Sequence, residues 1–405
     1  MRRVFACVAG LLLSTGAPGA TVDAAAELND LIARTLPMAR VPLPDRGQTF
    51  VIAHIALFDA VNAVEGRRYA AYATPPVPPA GASAPAAGLG AVCGVLNAYH
   101  KEHASTIDHE CEALAAKLGV ERKSASTQYG ETIGRLLIEV RHQGDVANSY
   151  RPATSAGVYV PTTLPVGWDT RAARPFAMRE PSQFRPGPPP PLSSATWARD
   201  YNETKRLGGR RSTERSDEQT RVARFWAASG IAIYNPVIRQ TAAAAGPELS
   251  DRARVYAIAY IALADAGIAV FDAKYEYNFW RPLTAIRNGD IDGNDATERD
   301  ADWMPLIDAP MHPEYPCAHC ISSAALGGVM EQVLGMGELA SPLSMSSPVG
   351  SDTPKRSWMR VSDFVTELGN SRLWSGIHYR NSIEVGAAMG KQVGRYVLET
   401  MLKLR

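Results

Sequence analysis

Two cationic side chains lie seven residues apart in the segment FDAKYEYNFWRPL, residues 271–283. They are Lys274 and Arg281, and Pro282 follows immediately. Seven residues correspond to almost two helical turns, so the spacing predicts both side chains on one helix face near a helix end. The planar fork of arginine and the point charge of lysine suit a tetrahedral oxyanion. Such a pair is usually a solvated face, but the aromatic neighbours indicate burial here.

Two further segments carry groups of the same chemistry. Residues 316–319, Pro-Cys-Ala-His, stand at the start of a predicted helix, where unpaired N–H groups and the helix dipole favour an oxyanion. Arg372 lies near a predicted helix end, and His378 follows it after five intervening residues. Together with His319, these groups predict a site for a tetrahedral oxyanion that also contains histidines able to move protons.

The three segments resemble the signature of the superfamily that contains type 2 phosphatidic acid phosphatases and vanadium-dependent haloperoxidases. The matching patterns are Lys-x6-Arg-Pro from Lys274, Pro-Cys-Ala-His from Pro316, and Ser-Arg-x5-His from Ser371. Three further stretches are similar to the secreted bacterial haloperoxidase-like branch: residues 54–64, 222–226 and 312–320. The resemblance thus extends from about residue 49 to the C-terminus.

The resemblance implies an enzyme that oxidises halide with hydrogen peroxide at a histidine-bound vanadate. The alternative that stays open is a phosphatase, which would need no cofactor and would hydrolyse a phosphate ester in the same site through a histidine nucleophile. His378 would be the metal ligand or that nucleophile. His319 would be the acid–base group on the opposite side, and Lys274 would polarise the peroxide. The implied oxyanion-binding residues are Lys274, Arg281, Cys317, Ala318 and Arg372.

Two positions depart from the pattern of the family. The family usually has Ser-Gly where this chain has Cys317-Ala318, and a thiol is a poorer hydrogen-bond donor than a serine hydroxyl. Because a site that makes hypohalous acid would consume a free thiol, we expect a disulfide between Cys317 and Cys320 in a haloperoxidase and a reduced Cys317 in a hydrolase. The family often has an aspartate four residues after the last histidine, where this chain has Ser382. Glu384 lies nearby and could compensate.

Helices must position these residues, because no stretch of strand-like alternation rivals the helical periodicity. We predict an all-α fold of two packed helical bundles with long Pro-rich connecting loops. The predicted helices cover residues 26–35, 49–63, 88–103, 107–118, 123–142, a segment that begins at Ser216, 249–287, 317–334, 355–368 and 381–401. A Pro-rich excursion is predicted at 149–194 and a charged hinge at 205–215. The bundles are assigned to residues 25–215 and 216–405, and the second carries the site.

The N-terminus predicts export. A basic start, an apolar run and then small residues form the pattern of a signal peptide over residues 1–24, so the protein is expected to be secreted or periplasmic, with no membrane contact after processing. Four cysteines follow the signal peptide, and in an oxidising compartment they suggest two disulfides. The simplest pairing is Cys93–Cys111 and Cys317–Cys320, although spacing alone does not fix the connectivity.

The charge balance limits the classes of partner. Lysine plus arginine, 42 residues, nearly equals aspartate plus glutamate, 41 residues, so no overall field favours nucleic acid or an anionic membrane. The expected partners are therefore small molecules, either peroxide and halide or a phosphate ester. The sequence leaves the oligomeric state open, a homo-oligomer included.

Other interpretations explain less of the sequence. Residues 317–320 have the CxxC spacing of a thiol oxidoreductase, but the βαβ context of such a site is missing. A cluster of His312 with residues 317–320 lacks the two separated ligand pairs of a structural zinc site. The Asp-rich residues 290–294 do not meet the EF-hand pattern, so we predict a surface loop there. His54 is expected to be a core histidine, and a catalytically inactive descendant stays open because of the two departures above.

Overall fold

The computed structural model describes residues 22–38, 43–141, 149–347 and 355–405, with the backbone alone at 43–46. Most of the predicted signal peptide, residues 1–21, therefore lies outside the described residues. Within the described ranges the chain is almost entirely helical, which confirms the all-α prediction.

Thirteen α-helices form in the described residues. The first five are α1 (Ala24–Met38), α2 (Leu43–Val64), α3 (Ala84–Tyr99), α4 (Ala104–Leu118) and α5 (Ala125–Arg141). The other eight are α6 (Ala195–Gly208), α7 (Asp217–Phe225), α8 (Asn235–Ala243), α9 (Leu249–Tyr277), α10 (Pro282–Arg287), α11 (Ala318–Leu334), α12 (Val361–Trp374) and α13 (Arg380–Thr400). A short antiparallel hairpin joins β1 (Leu343–Ser346) to β2 (Lys355–Trp358).

Helix α9 is the central element. It is 29 residues long and buries apolar side chains around most of its circumference, as a helix inside a large core must. It packs against α2 and α8 from the N-terminal part of the chain and against α11 and α13 from the C-terminal part. One hydrophobic cluster therefore runs from α1 to α13. The division into bundles at residues 215 and 216 stays a prediction.

Helix α7 begins as its sequence predicts. The hydroxyl of Ser216 accepts the N–H of Gln219 at 3.2 Å, and the Gln219 side chain accepts the N–H of Ser216 at 2.9 Å. This reciprocal pair satisfies two of the amides that a helix start leaves without acceptors. The helix is short and ends at Phe225, and the residues that follow reach the site described below.

The predicted charged hinge at 205–215 is wrong in its first part. Ser194 caps α6 by accepting the N–H of Trp197 at 3.1 Å, and the helix continues to Gly208. Its last turn contains Lys205 and Arg206, and basic residues are favourable at the negative end of the helix dipole. The charge run that suggested a hinge is thus the solvated end of a helix.

The predicted helix at 355–368 is also wrong in its first part. Lys355–Trp358 is strand β2, in which exposed residues alternate with buried ones and only Trp358 is fully covered. The Trp358 ring packs against Phe364 and Trp226, with ring centroids 5.2 and 5.8 Å apart. This tertiary packing and the pairing with Leu343–Ser346 outweigh the local helical preference, and α12 begins only at Val361.

Close backbone contacts fix the C-terminal elements around the site. A Cβ atom at Gly390 would lie 2.2 Å from the Ile321 carbonyl oxygen, so only glycine lets α13 approach α11 this closely. Gly376 has a positive φ of 75°, and a Cβ there would lie 2.3 Å from the Gly208 carbonyl oxygen. The turn between α12 and α13 is therefore pressed against the end of α6.

Both predicted disulfides are present. The bond between Cys93 and Cys111 joins α3 to α4, and the bond between Cys317 and Cys320 closes the first turn of α11. The sulfur atoms of both pairs are thus withdrawn from thiol chemistry and from metal binding.

The Pro-rich excursion at 149–194 contains no α-helix, as predicted, and one turn of 3₁₀-helix at Thr170–Ala172. The buried Asp265 carboxylate of α9 accepts three consecutive backbone N–H groups, those of Phe176, Ala177 and Met178, at 2.6 to 2.8 Å. Arg185 adds a two-pronged ion pair with Asp272 at 2.8 Å. The long loop is thereby attached to the central helix.

The Asp-rich loop and His54 are structural in the described fold. Asp292 is 6% exposed, and its carboxylate accepts hydrogen bonds from the Trp197 indole at 2.8 Å and from the Thr297 hydroxyl at 2.7 Å. No group of three or more His, Cys, Asp or Glu side chains is placed to hold a metal ion in the described part of the chain. His54 is fully buried and hydrogen-bonded to Phe50 and Asn29, which confirms it as a core histidine.

Two helical stretches of the described residues are long and apolar enough to cross a membrane by length and composition. They are Gly47–Val64 and Leu249–Tyr277, and 83% of each is buried inside the fold. Core helices of soluble proteins pass the same test, so it gives only weak support for a membrane span.

Candidate active site

Three cationic side chains are buried together in the C-terminal half. Lys274 lies in the last turn of α9, Arg281 immediately precedes α10, and Arg372 lies in the last turn of α12. Their exposed fractions are 0%, 2% and 1%. Lysine and arginine are almost never buried to this extent unless they are paired, so the question is what pairs with them.

Lys274 and Arg281 do not share one helix face, which corrects the prediction made from their spacing. Helix α9 ends at Tyr277, because Asn278 takes a left-handed conformation with a φ of 46° and its N–H donates to the Lys274 carbonyl. Pro282 then begins α10 instead of ending α9, since proline at the first helical position sacrifices no hydrogen bond. The turn between two helices, rather than helical periodicity, brings the two cations together.

The backbone of residues 312–314 holds both cations. Lys274 Nζ donates to the carbonyl oxygens of Pro313 and Glu314 at 2.9 and 2.8 Å. Arg281 donates through Nε to the His312 carbonyl at 2.9 Å and through Nη2 to the Pro313 carbonyl at 3.3 Å. Carbonyl dipoles stabilise the cations without neutralising them, so the positive charge stays available to an anion.

His378 presents its Nε2 atom to Arg281. Arg281 Nη1 lies 3.3 Å from this atom, and because arginine has only donors, Nε2 must be the acceptor. The ring proton is then on Nδ1, which donates to Glu314 Oε1 at 2.7 Å. Burial, followed by the charges of Arg281 and Lys274, lowers the pKa of His378 well below its ordinary value. A neutral imidazole with its lone pair on Nε2 can bind a metal or attack an electrophilic centre.

Glu314 is a member of this cluster that sequence reasoning missed. Its side chain is fully buried, and Oε1 also accepts the N–H of Tyr379 at 3.2 Å. Glu384, the carboxylate considered from the sequence, is exposed instead, and the Ser382 hydroxyl lies 3.5 Å from His378 Nδ1. Glu314 therefore supplies the carboxylate that position 382 lacks. The one signal in the sequence was an acidic residue enclosed by prolines and a tyrosine.

His312 was also missed as a member of this cluster, since its spacing suggested only a metal site. Its Nδ1 lies 2.9 Å from Arg281 Nη2, so this nitrogen accepts and the neutral ring carries its proton on Nε2. The ring packs edge-on against Phe271, with centroids 5.2 Å apart. Burial and then Arg281 lower the pKa of His312 well below its ordinary value. The residue is partly exposed and lies at the edge of the buried cluster.

Helix α11 begins beside the cluster. Cys317 is its N-cap, and the disulfide-bonded Sγ accepts the N–H of Cys320 at 3.2 Å. The N–H of Cys317 donates to the Ser382 carbonyl at 3.1 Å. Cys317 thus has neither an S–H nor a free N–H to offer, which corrects its expected role as an oxyanion donor. Ala318 is the first residue of the helix, where N–H groups have no intrahelical acceptor, so its predicted role as an oxyanion donor stays a prediction.

Backbone carbonyls of the loop that follows α7 accept hydrogen bonds from two further predicted site residues, His319 and Arg372. His319 Nε2 lies 2.9 Å from the Ala228 carbonyl, so Nε2 carries the proton and Nδ1 is the accepting nitrogen. Arg372 Nη1 donates to the Trp226 carbonyl. The two carbonyls are two residues apart in one loop, so His319 and Arg372 lie near each other. Burial, and then the charge of Arg372, lower the pKa of His319 to about 3. The structure therefore gathers the predicted site residues from α9 to α13 in one region.

The cluster has an excess of buried positive charge. Three basic side chains face one carboxylate, Glu314, whose pKa is raised to about 7 by burial against the opposing pull of Lys274 and Arg281. Burial, and then the charge of Arg281, lower the pKa of Lys274 well below its ordinary value, so a bound anion would favour its charged form. Burial lowers the pKa values of Arg281 and Arg372 to about 10, which leaves both charged at neutral pH. Among the described residues, Arg372 Nε is buried without any acceptor. A tetrahedral oxyanion such as vanadate fits these residues, because it supplies both the missing charge and the missing acceptors.

Comparisons with known proteins point to the same part of the chain. Residues 254–405 match the family described as the VCPO second helical-bundle domain. The vanadium chloroperoxidase of Curvularia inaequalis is 27% identical over an alignment that covers 55% of this chain and 44% of that protein. The C-terminal part of the chain is thus similar to the VCPO second helical-bundle domain. The alignment with the Curvularia inaequalis protein spans less than half the length of that protein. Residues 254–405 contain every predicted site residue.

Solved structures of the superfamily share the fold. A structure described as the first bacterial vanadium-dependent iodoperoxidase has a TM-score of 0.74 and 22% identity, and the match covers 96% of this chain and 99% of that chain. A holo-type bacterial vanadium-dependent chloroperoxidase has a TM-score of 0.68 and 18% identity, with 90% and 93% coverage. At these identities the likeness establishes the haloperoxidase fold over nearly the whole chain.

Proposed function

We propose that this protein is a vanadium-dependent haloperoxidase, which oxidises halide with hydrogen peroxide. The observation that carries the proposal is the lone pair of His378 Nε2, which is directed toward Arg281 inside a buried cluster of three cations. A neutral imidazole is a metal ligand, and fixed cations stabilise the oxygen atoms around such a centre. The match of residues 254–405 to the VCPO second helical-bundle domain, and the similarity to a vanadium chloroperoxidase, support the same assignment.

In this proposal each side chain has a separate task. His378 Nε2 would bind vanadium, and Glu314 keeps the ring proton on Nδ1 so that the lone pair stays on Nε2. Vanadate, when bound, would supply Lewis-acid activation of hydrogen peroxide. Lys274 polarises an oxygen atom through its ammonium group, and His319 accepts or returns a proton at Nδ1. The oxyanion is held by Lys274, Arg281, Arg372 and the Ala318 N–H.

The disulfide at the start of α11 favours peroxidase chemistry over phosphate-ester hydrolysis. A thiol at Cys317 would lie beside the centre that makes hypohalous acid and would be oxidised by it. In the described fold Cys317 is bonded to Cys320 and is fully buried. The position is therefore compatible with an oxidant-producing site, and a hydrolase would have no need of this protection.

The test uses purified protein that has been freed of phosphate and incubated with orthovanadate. We expect halogenation of a dimedone-type acceptor that requires vanadate, peroxide and a halide, and that added phosphate suppresses. Chloride, bromide and iodide should be compared in parallel. Hydrolysis of p-nitrophenyl phosphate by the vanadate-free sample, without halogenation by the loaded one, would overturn the proposal in favour of the phosphatase.

A pair of arginine variants makes this test specific to the site. Arg372→Ala removes a fully buried cation, and we expect it to abolish vanadate-dependent halogenation. Arg380→Ala is the matched control, because Arg380 binds Glu203 at 2.7 Å and Asn370 at 2.8 Å rather than the site. Equal activity losses in the two variants would point to general damage instead of loss of oxyanion binding.

We also propose that the protein is exported. The predicted signal peptide at residues 1–24 supports this location, and so do the two disulfides, because disulfides persist mainly in oxidising compartments. N-terminal sequencing of protein recovered from the periplasm or the medium should begin after the predicted signal. Protein that keeps residues 1–24 and stays in the cytoplasm would contradict this location.

A further inference from the structure

Trp226 is bound to helix α12 at two points, one on its side chain and one on its backbone. Its indole Nε1 donates to Glu367 Oε1 at 3.1 Å, and its carbonyl oxygen accepts the hydrogen bond from Arg372 Nη1. Glu367 and Arg372 both lie on α12, five residues apart, and Trp226 is fully buried. The position of the Trp226 carbonyl relative to Arg372 is therefore fixed by two contacts with the same helix.

Glu367 is itself held in place by Arg356 of strand β2. Arg356 makes a two-pronged ion pair with the Glu367 carboxylate, in which Nε lies 2.8 Å from Oε1 and Nη2 lies 2.7 Å from Oε2. The third nitrogen, Nη1, donates to Glu218 Oε1 in the first turn of α7 at 2.9 Å. The side chains of Arg356 and Glu367 are 15% and 17% exposed, so water screens this geometrically favourable pair only in part. The ion pair thus joins α7, β2 and α12 beside the Trp226 indole.

The loop that begins at Trp226 also binds His319. The carbonyl oxygen of Ala228, two residues after Trp226, accepts from His319 Nε2 at 2.9 Å. Because a carbonyl oxygen can only accept, this contact keeps the ring proton on Nε2 and the lone pair on Nδ1. A displacement of residues 226–228 would therefore change the direction of the Arg372 side chain and the tautomer of His319 together.

We propose that Glu367 and Trp226 are positioning residues for the oxyanion site. The Glu367 carboxylate, clamped by Arg356, fixes the Trp226 indole, and residues 226–228 then present two backbone carbonyls at the places where Arg372 and His319 donate to them. Neither Glu367 nor Trp226 has to touch the bound anion, because both act through the loop. The inference rests on the oxyanion site of the proposed function, and it holds for phosphate as well as for vanadate.

The first arm of the test needs no bound anion. Trp226→Phe removes the indole N–H and keeps an aromatic ring beside Phe364 and Trp358. We expect the ¹⁵N resonances of the His319 ring to shift toward exchange between the two tautomers in this variant, because the Ala228 carbonyl is no longer fixed. Unchanged His319 resonances in a folded Trp226→Phe protein would overturn the inference.

Trp358→Phe is the matched control for this arm. The Trp358 ring lies 5.8 Å from that of Trp226, and its Nε1 is buried without an acceptor in the part of the chain that the structure describes. The control thus makes the same chemical change in the same group of rings but removes no hydrogen bond, so the His319 resonances should stay as in wild type. Equal shifts in the two variants, at equal midpoints of urea unfolding, would mean that ring packing holds the loop and would sink the inference.

The second arm measures the Kd of inorganic phosphate and of orthovanadate by equilibrium dialysis. Trp226→Phe and Glu367→Ala should each raise both Kd values about 3- to 10-fold, the worth of one net hydrogen bond. Glu367→Gln keeps an oxygen acceptor for the indole and should recover most of the wild-type affinity. Wild-type Kd values in Trp226→Phe and in Glu367→Ala would refute the inference. Wild-type protein that binds phosphate but no vanadate would refute the proposed function instead, and the phosphate Kd values would still decide the role of Glu367 and Trp226.

Discussion

Replacing Glu314 with glutamine should weaken vanadate binding much more than it weakens the fold. The substitution keeps the shape of the side chain but removes the carboxylate that accepts from His378 Nδ1 at 2.7 Å. A hydrogen bond to a charged group is worth about 1.5–3 kcal/mol and a neutral one about 0.5–1.5 kcal/mol. The amide could also turn its NH2 group toward Nδ1, which would drive the ring proton to Nε2 and block the ligand atom.

These effects set the expected size of the change. Loss of an outer partner of a metal-binding histidine typically costs 10- to 100-fold in affinity. We therefore expect the vanadate Kd of Glu314→Gln to rise by about 10- to 100-fold, which corresponds to about 1.4–2.7 kcal/mol. Equilibrium dialysis of phosphate-free protein against orthovanadate measures the Kd, and urea unfolding of the same samples reports the stability.

Glu384→Gln is the matched control for this measurement. It makes the same chemical change on helix α13, six residues after His378, but Glu384 is exposed and makes no contact with the imidazole in the described structure. Its Kd should equal that of wild type. A folded Glu314→Gln protein with wild-type affinity would refute the reasoning, because the carboxylate would then not control the His378 tautomer. A rise in Kd for Glu384→Gln alone would do so as well.

His378→Ala should abolish vanadate retention while circular dichroism shows unchanged helical content, and a wild-type vanadium content in that variant would remove His378 as the ligand. Burial lowers the pKa of His54 from 6.5 to about 4. The unfolded chain therefore binds more protons than the folded one between these values. Stability that is complete above pH 6.5 should fall by about 3 kcal/mol as the pH approaches 4, and urea titrations of His54→Leu should show a flatter profile. The double substitution Cys93→Ala and Cys111→Ala opens a link between residues 18 apart. It should cost about 3 kcal/mol of unfolding free energy and leave the vanadate Kd unchanged, since the bond lies between α3 and α4.

The clustering of the site side chains could be predicted because their types and their positions at helix ends are local features of the sequence. Lys274, Arg281, Arg372 and the two histidines each stand at a predicted helix end, and helix ends are readable from Pro, Gly and capping residues. The helices themselves are long and apolar, which is the pattern that single-sequence reasoning identifies best. The Cys93–Cys111 disulfide could also be predicted, because the two cysteines lie on two predicted helices that are neighbours in the sequence.

The parts that were missed depend on contacts between distant segments. Glu314 meets His378 across 64 residues of sequence, so no local spacing marks the pair. A helix end was predicted near Arg281, within the predicted helical region 249–287, because Pro282 is a strong helix breaker, whereas the left-handed Asn278 ends α9 at Tyr277. Strand β2 formed where a helix was predicted, since its partner strand and the packing of Trp358 lie elsewhere in the chain.

The two departures from the family pattern have structural counterparts in the same few residues. The sulfur of Cys317 cannot donate like a serine hydroxyl, but its disulfide with Cys320 removes the thiol that an oxidant would attack. Ser382 cannot orient a histidine as an aspartate would, but its carbonyl accepts the N–H of Cys317 and ties α13 to the start of α11. The carboxylate then comes from Glu314, three residues before Cys317. Because Glu314 and Cys317 belong to one short segment, a substitution that displaces this segment should disturb the histidine and the helix N-terminus together. A motif position that lacks its usual residue is therefore poor grounds for assigning an inactive site before the packing around it is known.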